Sequence, residues 1–533
     1  MMDTSGDGDL KQRSVRGGIA VLVAGILHFC TTLATVMVLA RLLTPSDFGL
    51  LAMAAVLSGF VGSFRDFGLP MAIVWEDRID DDGLSRVFWL NAKLAGALGL
   101  AMAAASPLLA WLFGEPALIA ISCALAVGMA ANGLSNPHVG LLKRQMRFRL
   151  LGTIDVGAAA MGGVCGIGSA LLGAGYWSLV IQQLAELGVQ GALRWLVSDW
   201  RPGSVRTYGR SGPELRALLS FGRETTLARV LNEAAGQIDR ILVGTLAGAT
   251  QLGFYQNARR WSELPALQLV VPIKSVAVAS FSRLQREPER YRAAARSVFA
   301  AAFAAVLPLM AFLCVEAKEV ILFLFGPKWL AAVPFFRLLA AAVFFGCANR
   351  LTVWVYLSEG ETRRRLQWTV ISQPFTIGAV MVGAAWGPLG IVVAVAVVTA
   401  LLAYPSVRFC LRTSPLREAD VWGAAWRPAV AGGGAAALLV ALPATSDTAL
   451  ALRLLRDGAI FGVACAAIWM ALPGGLASAR DLLQLLRSAG PIRRVQAADE
   501  GVAARVLPGA TSGPLIESAR HELLGGEIGG RRS

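Results

Sequence analysis

Long apolar runs alternate with short polar segments along most of this chain. The first run, Gly17 to Ala40, exceeds the ~20 residues that an α-helix needs to cross a hydrocarbon core, and it follows Lys11, Arg13 and Arg16. No small-residue cleavage site ends it, so we interpret it as a transmembrane helix and not as a removable signal peptide. Similar runs follow at Leu50–Trp75, Val87–Phe113, Ala117–Leu142, Leu151–Leu172, Tyr176–Val197, Leu218–Leu246, Leu252–Phe281, Phe299–Val315, Val333–Leu357, Leu366–Trp386, Leu389–Phe409, Trp422–Leu442 and Leu452–Leu472. The pattern predicts an all-α polytopic membrane protein of about fourteen transmembrane helices.

Composition supports a chain whose main solvent is lipid. Of 533 residues, 56% are hydrophobic and only 16% are charged, and the mean hydropathy is +0.59. The cysteines are isolated, and no pair has the spacing of a metal site or a disulfide. The sequence also lacks GxxxxGK[ST], GxSxG and HExxH motifs. We therefore expect no metal, no cofactor, no internal ATPase and no enzymatic activity.

Positive charge is concentrated in alternate connections between the apolar runs. Segments 143–149, 194–216 and 283–296 are rich in Lys and Arg, whereas the opposite side offers little beyond Arg41 and Lys318. The positive-inside rule then puts both termini in the cytoplasm. The net charge of +14 does not indicate nucleic-acid binding, because no basic helix carries interleaved aromatic residues. It suits the anionic headgroups of membrane lipids.

The two halves of the chain show a weak repeat with the same sense across the membrane. An offset of 204 positions aligns Leu42 with Leu246, Gly49 with Gly253, and His28 with Asn232. Such a parallel repeat predicts two lobes of six helices with a site between them. The expected organisation is an N-terminal tail (1–16), a first lobe (17–200), a cytoplasmic linker (201–217), a second lobe (218–410), two extra helices (411–474) and a disordered cytoplasmic tail (475–533).

One stretch, Ser220 to Gly244, is long enough to span a bilayer and yet carries many charges. On a helix, its polar residues fall within one arc of roughly 160°, and they are Arg229, Asn232, Glu233, Gly236, Gln237, Asp239 and Arg240. Charged groups inside membrane helices cost ~2.5–3.5 kcal/mol each on insertion scales, so they are functional candidates by default. This arc must face water, a charged ligand or another polar surface.

Several segments together resemble a known family: LARLLTPSDFGLLAMA, RDFGLPMAIVWEDR, GLLKRQMRFRLLGTIDV, GYWSLVIQQL, FGRETTLARVLNEAAGQIDRILVG, LGFYQNARRWSELP and LFGPKWLAAVPFFRLLA. The chain resembles bacterial lipopolysaccharide and exopolysaccharide biosynthesis flippases of the Wzx (colanic-acid-type) branch, within the MATE-like exporter superfamily. The resemblance implies two six-helix lobes around a central cavity, plus two extra helices. It also implies a flippase that moves an undecaprenyl-diphosphate-linked oligosaccharide across the bacterial inner membrane, and partners such as a polysaccharide polymerase and its chain-length machinery.

A lipid-linked sugar diphosphate needs cations for the phosphates and hydrogen-bonding groups for the sugar. We expect Arg229, Arg240, Arg260 and Lys274 to serve the phosphates, because Arg offers a forked contact and Lys a point charge. Polar candidates for sugar hydroxyls are Asn232, Gln237, Asn257 and His28, and the carboxylates of Glu233 and Asp239 could pair with arginines or carry protons.

Alternative interpretations remain open for the residues and for the function. Arg229 and Glu233, like Arg259 and Glu263, are spaced as structural i,i+4 ion pairs, and Arg65 and Asp66 could hold a helix break. A drug or cation antiporter of the MATE type is one functional alternative, although its cavity should be more acidic. A polysaccharide polymerase or ligase is the enzyme alternative, although such proteins typically carry a long outer loop.

Overall fold

The computed structural model describes residues 5–65, 81–203, 213–442 and 449–480. Asp66 and most of the predicted tail lie outside these ranges. Within them the side chains are described except those of residues 5–20, 22, 63–65, 82, 213–232, 234, 235, 272, 275, 276, 279 and 362.

The first group of helices comprises seven elements, numbered here in chain order. They are α1 (Ser5–Leu42), α2 (Pro45–Arg65), α3 (Asp81–Phe113), α4 (Ala117–Gly133), α5 (Asn136–Arg144), α6 (Phe148–Leu171) and α7 (Trp177–Val197). In this group α1 packs on α6, α6 on α7, and α3 on α4.

The second group begins with α8 (Pro213–Leu284), a long element with a kink at Gly248. The backbone of Gly248 is not helical and has a positive φ of 75°. The group continues with α9 (Pro288–Val315), α10 (Ala317–Phe325), a 3-10 helix (Pro327–Ala332), α11 (Val333–Glu359), α12 (Thr362–Ala384) and α13 (Gly387–Leu411). The last two helices are α14 (Glu418–Ala441) and α15 (Leu450–Ala471), which pack on each other and, through α14, on α9.

The described part of each predicted apolar run is largely helical, although the run Ala117–Leu142 is divided between α4 and α5 and residues 66–75 of the second run lie outside the described ranges. The described residues contain no strand. In the described part of the chain, ten helices are long and apolar enough to cross a membrane. The prediction of an all-α polytopic membrane protein is thereby confirmed, whereas the count of fourteen stays a prediction. Helix α1 already starts within the segment predicted as a tail and α8 within the predicted linker, so helical structure continues beyond the apolar runs.

Local chemistry explains where several helices begin and end. At the start of α2, the Asp47 carboxylate accepts hydrogen bonds from the backbone N–H of Thr44 at 2.8 Å and from its hydroxyl at 2.7 Å. These bonds satisfy a donor that the first turn leaves unpaired. At the end of α11, Gly360 adopts a left-handed conformation with φ of 74°, which a side chain would disfavour.

The two groups meet mainly along α2 and α8, the most extensive contact between any two elements. Its centre is a reciprocal pair of glycines. A Cβ on Gly49 would lie 1.8 Å from the carbonyl oxygen of Ala249, and one on Gly253 would lie 1.9 Å from that of Pro45. The repeat offset of 204 relates Pro45 to Ala249 and Gly49 to Gly253. The contact is therefore the same one made twice about a pseudo-two-fold axis.

Beside the glycines, six aromatic side chains join the two groups, and we call them the aromatic seam: Phe29, Phe48, Phe254, Trp261, Phe325 and Trp329. Trp329 is fully buried, with ring centroids 5.2 Å from Phe48 of α2 and 5.4 Å from Phe325 of α10. Its indole N–H donates to the Ala40 carbonyl at 3.0 Å. Further along, Phe29 of α1 lies 6.2 Å from Trp261 of α8.

Polar bonds reinforce the same end of the interface. Arg41 donates to the Phe323 carbonyl at 3.0 Å, and Lys328 donates to the Arg41 carbonyl at 3.1 Å. Such contacts lie close to the connection between α1 and α2 and to the 3-10 helix, so they fasten the two groups at one end of the bundle.

Helix α14 is attached to the second group by a buried carboxylate. Asp420, only 5% exposed, accepts from the Arg292 guanidinium at 3.1 Å and from Arg296 at 2.7 Å. Its carboxylate also accepts from the backbone N–H of Arg417 at 2.8 Å, which caps the start of α14. One side chain thus caps a helix and docks it.

A Gly49→Ala or Gly253→Ala substitution should separate α2 from α8, because the added methyl group meets backbone oxygen that cannot move away. We expect each to lower the free energy of unfolding by about 1–3 kcal/mol, the usual range for overpacking. Thermal melting of the purified protein in detergent measures this. The control is Gly62→Ala, whose Cβ meets nothing within 4 Å. Equal melting temperatures for Gly49→Ala and Gly62→Ala would contradict the reciprocal contact.

A second carboxylate lies where α9 ends and α10 begins. Glu316 follows the last residue of α9, is 7% exposed, and has one carboxylate oxygen without a hydrogen-bond partner. Burial and the neighbouring charges of Glu319 on α10 and Asp457 on α15 raise its pKa to about 7, against the opposing effect of Arg456 and Arg453. Ionisation of Glu316 therefore costs free energy in the folded state.

Because the pKa of Glu316 is raised, the free energy of unfolding should fall as the pH rises. The contribution of Glu316 to the free energy of unfolding is fully present below the pKa of an unfolded glutamate, where the carboxyl is protonated in both states. This contribution is lost as pH rises through the folded pKa of about 7. The wild-type protein should melt at a lower temperature at about pH 8.5 than at about pH 5.5, and Glu316→Gln should reduce this difference. A difference that stays unchanged in the Gln variant would show that other groups cause it.

Candidate functional site

The polar arc of α8 faces two directions. Glu233 and Gln237 point towards α2, where a Cβ on Gly59 would lie 2.8 Å from both the Glu233 carboxylate and the Gln237 amide. Gly236 and Asp239 instead line a cavity inside the second group. The arc predicted to form one face thus serves both the interface between the groups and the interior of one of them.

Asp239 is the centre of a buried ion-pair network. It is 6% exposed and accepts hydrogen bonds from the Tyr255 hydroxyl and from the Arg259 guanidinium, and the backbone N–H of Arg240 donates to it at 2.8 Å. Arg259 also donates to the Tyr255 hydroxyl at 3.1 Å. The negative charge of Asp239 is therefore compensated inside the second group.

The network extends along the arc in both directions. Arg240 donates to the Gln237 side-chain oxygen at 2.8 Å, and the Gln237 amide nitrogen donates to Glu233. On the other side, Arg259 Nε lies 3.6 Å from Glu263, and Arg350 of α11 lies 3.8 Å from the same carboxylate. Two carboxylates of the cavity, Asp239 and Glu263, are engaged by arginines.

The cavity has a volume of about 230 Å³ and lies among α8, α11, α12 and α13. Its polar lining includes the network of Asp239, Arg259, Glu263 and Arg350. Opposite these charges are the uncharged polar groups Gln373, Thr376 and Thr399. Among the described residues, no group of three or more His, Cys, Asp or Glu side chains is arranged to hold a metal ion.

A second polar cluster spans the two groups of helices. Glu186 of α7 interacts electrostatically with His28 of α1 and Arg260 of α8. Arg260 has exposed surface although protein surrounds most of its side chain, and its guanidinium lies 5.8 Å from the Trp261 ring. Because Trp261 contacts Phe29, the cluster lies next to the aromatic seam. In the described part of the chain, no hydrogen bond or ion pair satisfies Glu186 or Arg260.

Another ion pair is internal to the first group. Arg194 near the end of α7 lies 2.9 Å from Asp155 of α6 and donates to Ser135 at 3.3 Å. Because both charges of this pair compensate each other, they differ from the uncompensated Glu186 and Arg260.

The structure brings together some predicted site residues and separates others. Glu233, Gln237, Asp239 and Arg240 form one network, to which Arg259 and Glu263 belong, whereas His28 and Arg260 belong to the cluster across the groups. Asn257 is buried, with its amide nitrogen lacking a partner, and Lys274 is exposed. The side chains of Arg229, Asn232 and Arg65, and all of Asp66, lie outside what the structure describes.

Three residues of these clusters did not emerge from the sequence. Glu186 is a carboxylate in the apolar run Tyr176–Val197, so the argument used for α8 applies to it equally. Arg350 is likewise a charged residue in the apolar run Val333–Leu357. Tyr255 carried no such signal. Tyr255 is an ordinary residue of an apolar run, and only the packing of α8 on itself across Gly248 brings it to Asp239.

Comparison with known proteins agrees with this geometry. A sequence model of the family described as polysaccharide biosynthesis protein matches residues 38–334. The chain is 26% identical over 359 residues to the succinoglycan biosynthesis transport protein ExoT of Rhizobium meliloti (strain 1021), covering 67% of this chain and 71% of that protein. It is 21% identical over 380 residues to the lipopolysaccharide biosynthesis protein WzxC of Escherichia coli (strain K12), covering 70% and 76%.

Solved structures share the fold. The lipid II flippase MurJ in an inward closed conformation superposes with a TM-score of 0.63 at 12% identity, covering 85% of this chain and 99% of that one. An inward-facing MATE family transporter of the MOP superfamily gives a TM-score of 0.59 at 16% identity, covering 74% and 97%. The MATE-like architecture expected from the sequence is thereby confirmed.

Breaking the buried Asp239–Arg259 pair should destabilise the protein. Asp239→Asn or Arg259→Gln leaves one charge uncompensated, at a cost of about 3–5 kcal/mol, and the double variant should lose less than the sum of the two single losses. Thermal melting in detergent gives the three differences. The control is Glu263→Gln, which we expect to cost less than about 1 kcal/mol because this carboxylate is partly exposed. Strictly additive losses would remove the pair as a structural unit.

Proposed function

We propose that this chain, which belongs to the polysaccharide biosynthesis protein family, is a flippase for an undecaprenyl-diphosphate-linked oligosaccharide. It would move this repeat unit across the bacterial inner membrane for the synthesis of a surface polysaccharide, either lipopolysaccharide or exopolysaccharide. In this role it is a transporter and not an enzyme, and it would work beside a polymerase and its chain-length machinery.

The observation that carries the proposal is Arg260, an exposed cation at membrane depth beside the contact between the two groups of helices. A diphosphate must cross hydrocarbon while its polyprenyl chain stays in lipid, and a cation beside the path lowers the electrostatic barrier. Arg260 is available for that purpose because the described part of the chain gives it no ion-pair partner within bonding distance. Arg259, by contrast, is occupied by Asp239.

Alternating access is the mechanism that the arrangement supports best. The predicted lobes, residues 17–200 and 218–410, would rock against each other about the reciprocal glycine contact. With both termini in the cytoplasm, the connection between α1 and α2 faces the outside, so the aromatic seam would close the outer side.

The antiporter alternative receives less support from the charges. A pocket for a cationic drug should present free carboxylates, but arginines engage Asp239 and Glu263 in the cavity of the second group. The likeness to a MATE transporter concerns the fold alone.

The proposed function is tested by a single neutral substitution at the cation. Arg260→Gln should lower export of surface polysaccharide about tenfold without changing the amount of protein in the membrane, because the phosphate contact is lost. The control is Arg290→Gln, which removes an exposed arginine paired with Glu287. Export is measured as extracellular polysaccharide at matched protein levels, and wild-type export in Arg260→Gln would exclude this residue from the path.

Deletion of the gene separates the flippase from its alternatives. A flippase deletion leaves lipid-linked repeat units on the cytoplasmic leaflet. Single unpolymerised repeats exposed on the outer leaflet would indicate a polymerase instead. Drug sensitivity with normal polysaccharide would indicate an antiporter.

A further inference from the structure

The cavity among α8, α11, α12 and α13 is separate from the cation proposed for the diphosphate, because Arg260 is absent from the described residues that line it. Four charged side chains lie in its wall, two of each sign: Asp239, Arg259, Glu263 and Arg350. The four are joined by ion pairs, so an ion that entered would meet no free counter-charge. Since a charge taken out of water needs such a partner, the cavity suits an uncharged guest.

Several polar groups of the cavity have unused hydrogen-bonding capacity. Glu263 lies 3.6 Å from Arg259 Nε and 3.8 Å from Arg350, which is longer than a hydrogen bond. Within the described part of the chain, neither the Glu263 carboxylate nor the Arg350 guanidinium makes a hydrogen bond. The same holds there for the side chains of Gln373 on α12 and Thr399 on α13. Acceptors and donors thus lie side by side, and a hydroxyl group, which both donates and accepts, can use them.

The remaining lining and the size of the cavity narrow the class of guest. Much of the lining is aliphatic, including Leu339, Val343 and Ile377. A pyranose ring has hydroxyl groups around its edge and C–H groups on its faces, so a mixed lining matches it. At about 230 Å³ the cavity is smaller than the ~300–1,000 Å³ of sites for drug-sized ligands, so it admits one ring and not an oligosaccharide. It is not sealed, because the side chains of Glu263 and Arg350 are 32% and 36% exposed.

Gly236 leaves part of this space open. It lies one turn before Asp239 on the same face of α8 and lines the cavity. A Cβ built on Gly236 would meet no heavy atom within 4 Å, and its backbone is helical. Neither close packing nor backbone conformation therefore requires glycine, which is unfavourable inside a helix relative to alanine. The absence of a side chain at this position enlarges the cavity.

We propose that this cavity is a binding site for one uncharged monosaccharide of the lipid-linked oligosaccharide, with Glu263 and Arg350 as its specificity-determining residues. The inference rests on the proposed function and adds to it a sugar site distinct from the cation Arg260. Glu263 accepts a hydrogen bond from one sugar hydroxyl, and Arg350 donates to the oxygen of another. Because the charges of the wall already balance, a uronic acid or an amino sugar binds less well.

The first experiment measures saturation transfer by NMR from the full chain in lipid nanodiscs to free sugars at millimolar concentration. Methyl glucoside, methyl galactoside and methyl mannoside are the uncharged probes, glucuronate is the anion and glucosamine is the cation. We expect at least one methyl glycoside to bind about tenfold more tightly than either charged sugar. Failure of all three methyl glycosides to bind, or tighter binding of a charged sugar, would overturn the proposal.

Filling the cavity locates the site. Gly236→Leu adds a side chain to open space, so it should abolish binding of the methyl glycoside and leave the melting temperature unchanged. The matched control is Gly378→Leu on α12, where a Cβ also meets nothing within 4 Å. Gly378 is exposed and is not among the described residues that line the cavity, so this variant should bind as wild type does. Wild-type sugar binding in Gly236→Leu would place the sugar elsewhere.

A change of charge tests the specificity without filling the cavity. Glu263→Gln leaves Arg350 without the carboxylate that pairs with it. Glucuronate should then bind about tenfold more tightly than it binds to wild type, and the methyl glycoside should bind more weakly. A merely structural role for Glu263 would weaken both sugars alike, and that result would contradict its role in specificity.

Binding of undecaprenyl diphosphate, compared with undecaprenol, tests the proposed function separately. If wild type distinguishes these two lipids but binds no methyl glycoside, the sugar site is wrong and the proposed function stands. If wild type binds the methyl glycoside but does not distinguish the lipids, the proposed function fails, and the assignment of the sugar to a lipid-linked substrate fails with it.

Discussion

Close contact of two helix backbones at Gly49 and Gly253 is the constraint on which the arrangement of the two groups depends. Each glycine lies against a carbonyl of the partner segment, Ala249 or Pro45, at a separation that no side chain tolerates. Because the repeat relates the two contacts, α2 and the segment of α8 after Gly248 approach each other symmetrically. The buried Trp329 and its aromatic neighbours then fill the space on one side of this axis.

The centre of this symmetric contact consists of glycines and backbone carbonyls. Bulky contacts occur to one side, in the aromatic seam, where Trp329 donates to a backbone carbonyl of the first group. A conformational change that opens the seam would therefore break few polar bonds, chiefly those of Arg41, Lys328 and Trp329.

The intramembrane charges fall into two classes once the helices are packed. Asp239, Arg259, Glu263 and Arg350 compensate one another within the second group, as Asp155 and Arg194 do within the first. These pairs avoid the cost of isolated charges in a medium of low polarity. Glu186 and Arg260 belong to different groups, and no ion pair joins them in the described structure.

The sequence by itself determined the helical membrane class, because apolar run lengths and loop charges reflect the bilayer directly. It also indicated the repeat, the family resemblance and the polar character of α8. It could not tell which charges of α8 are occupied, since i,i+4 spacing fits Arg259 with Glu263 but does not reveal Asp239 as a second partner. That pairing required the return of the chain at Gly248, and the reciprocal contact of Gly49 and Gly253 required two halves of the chain to pack together. Periodicity describes one helix at a time, whereas the compensation of charges depends on how several helices pack. Only the tertiary structure therefore decided which charges are paired.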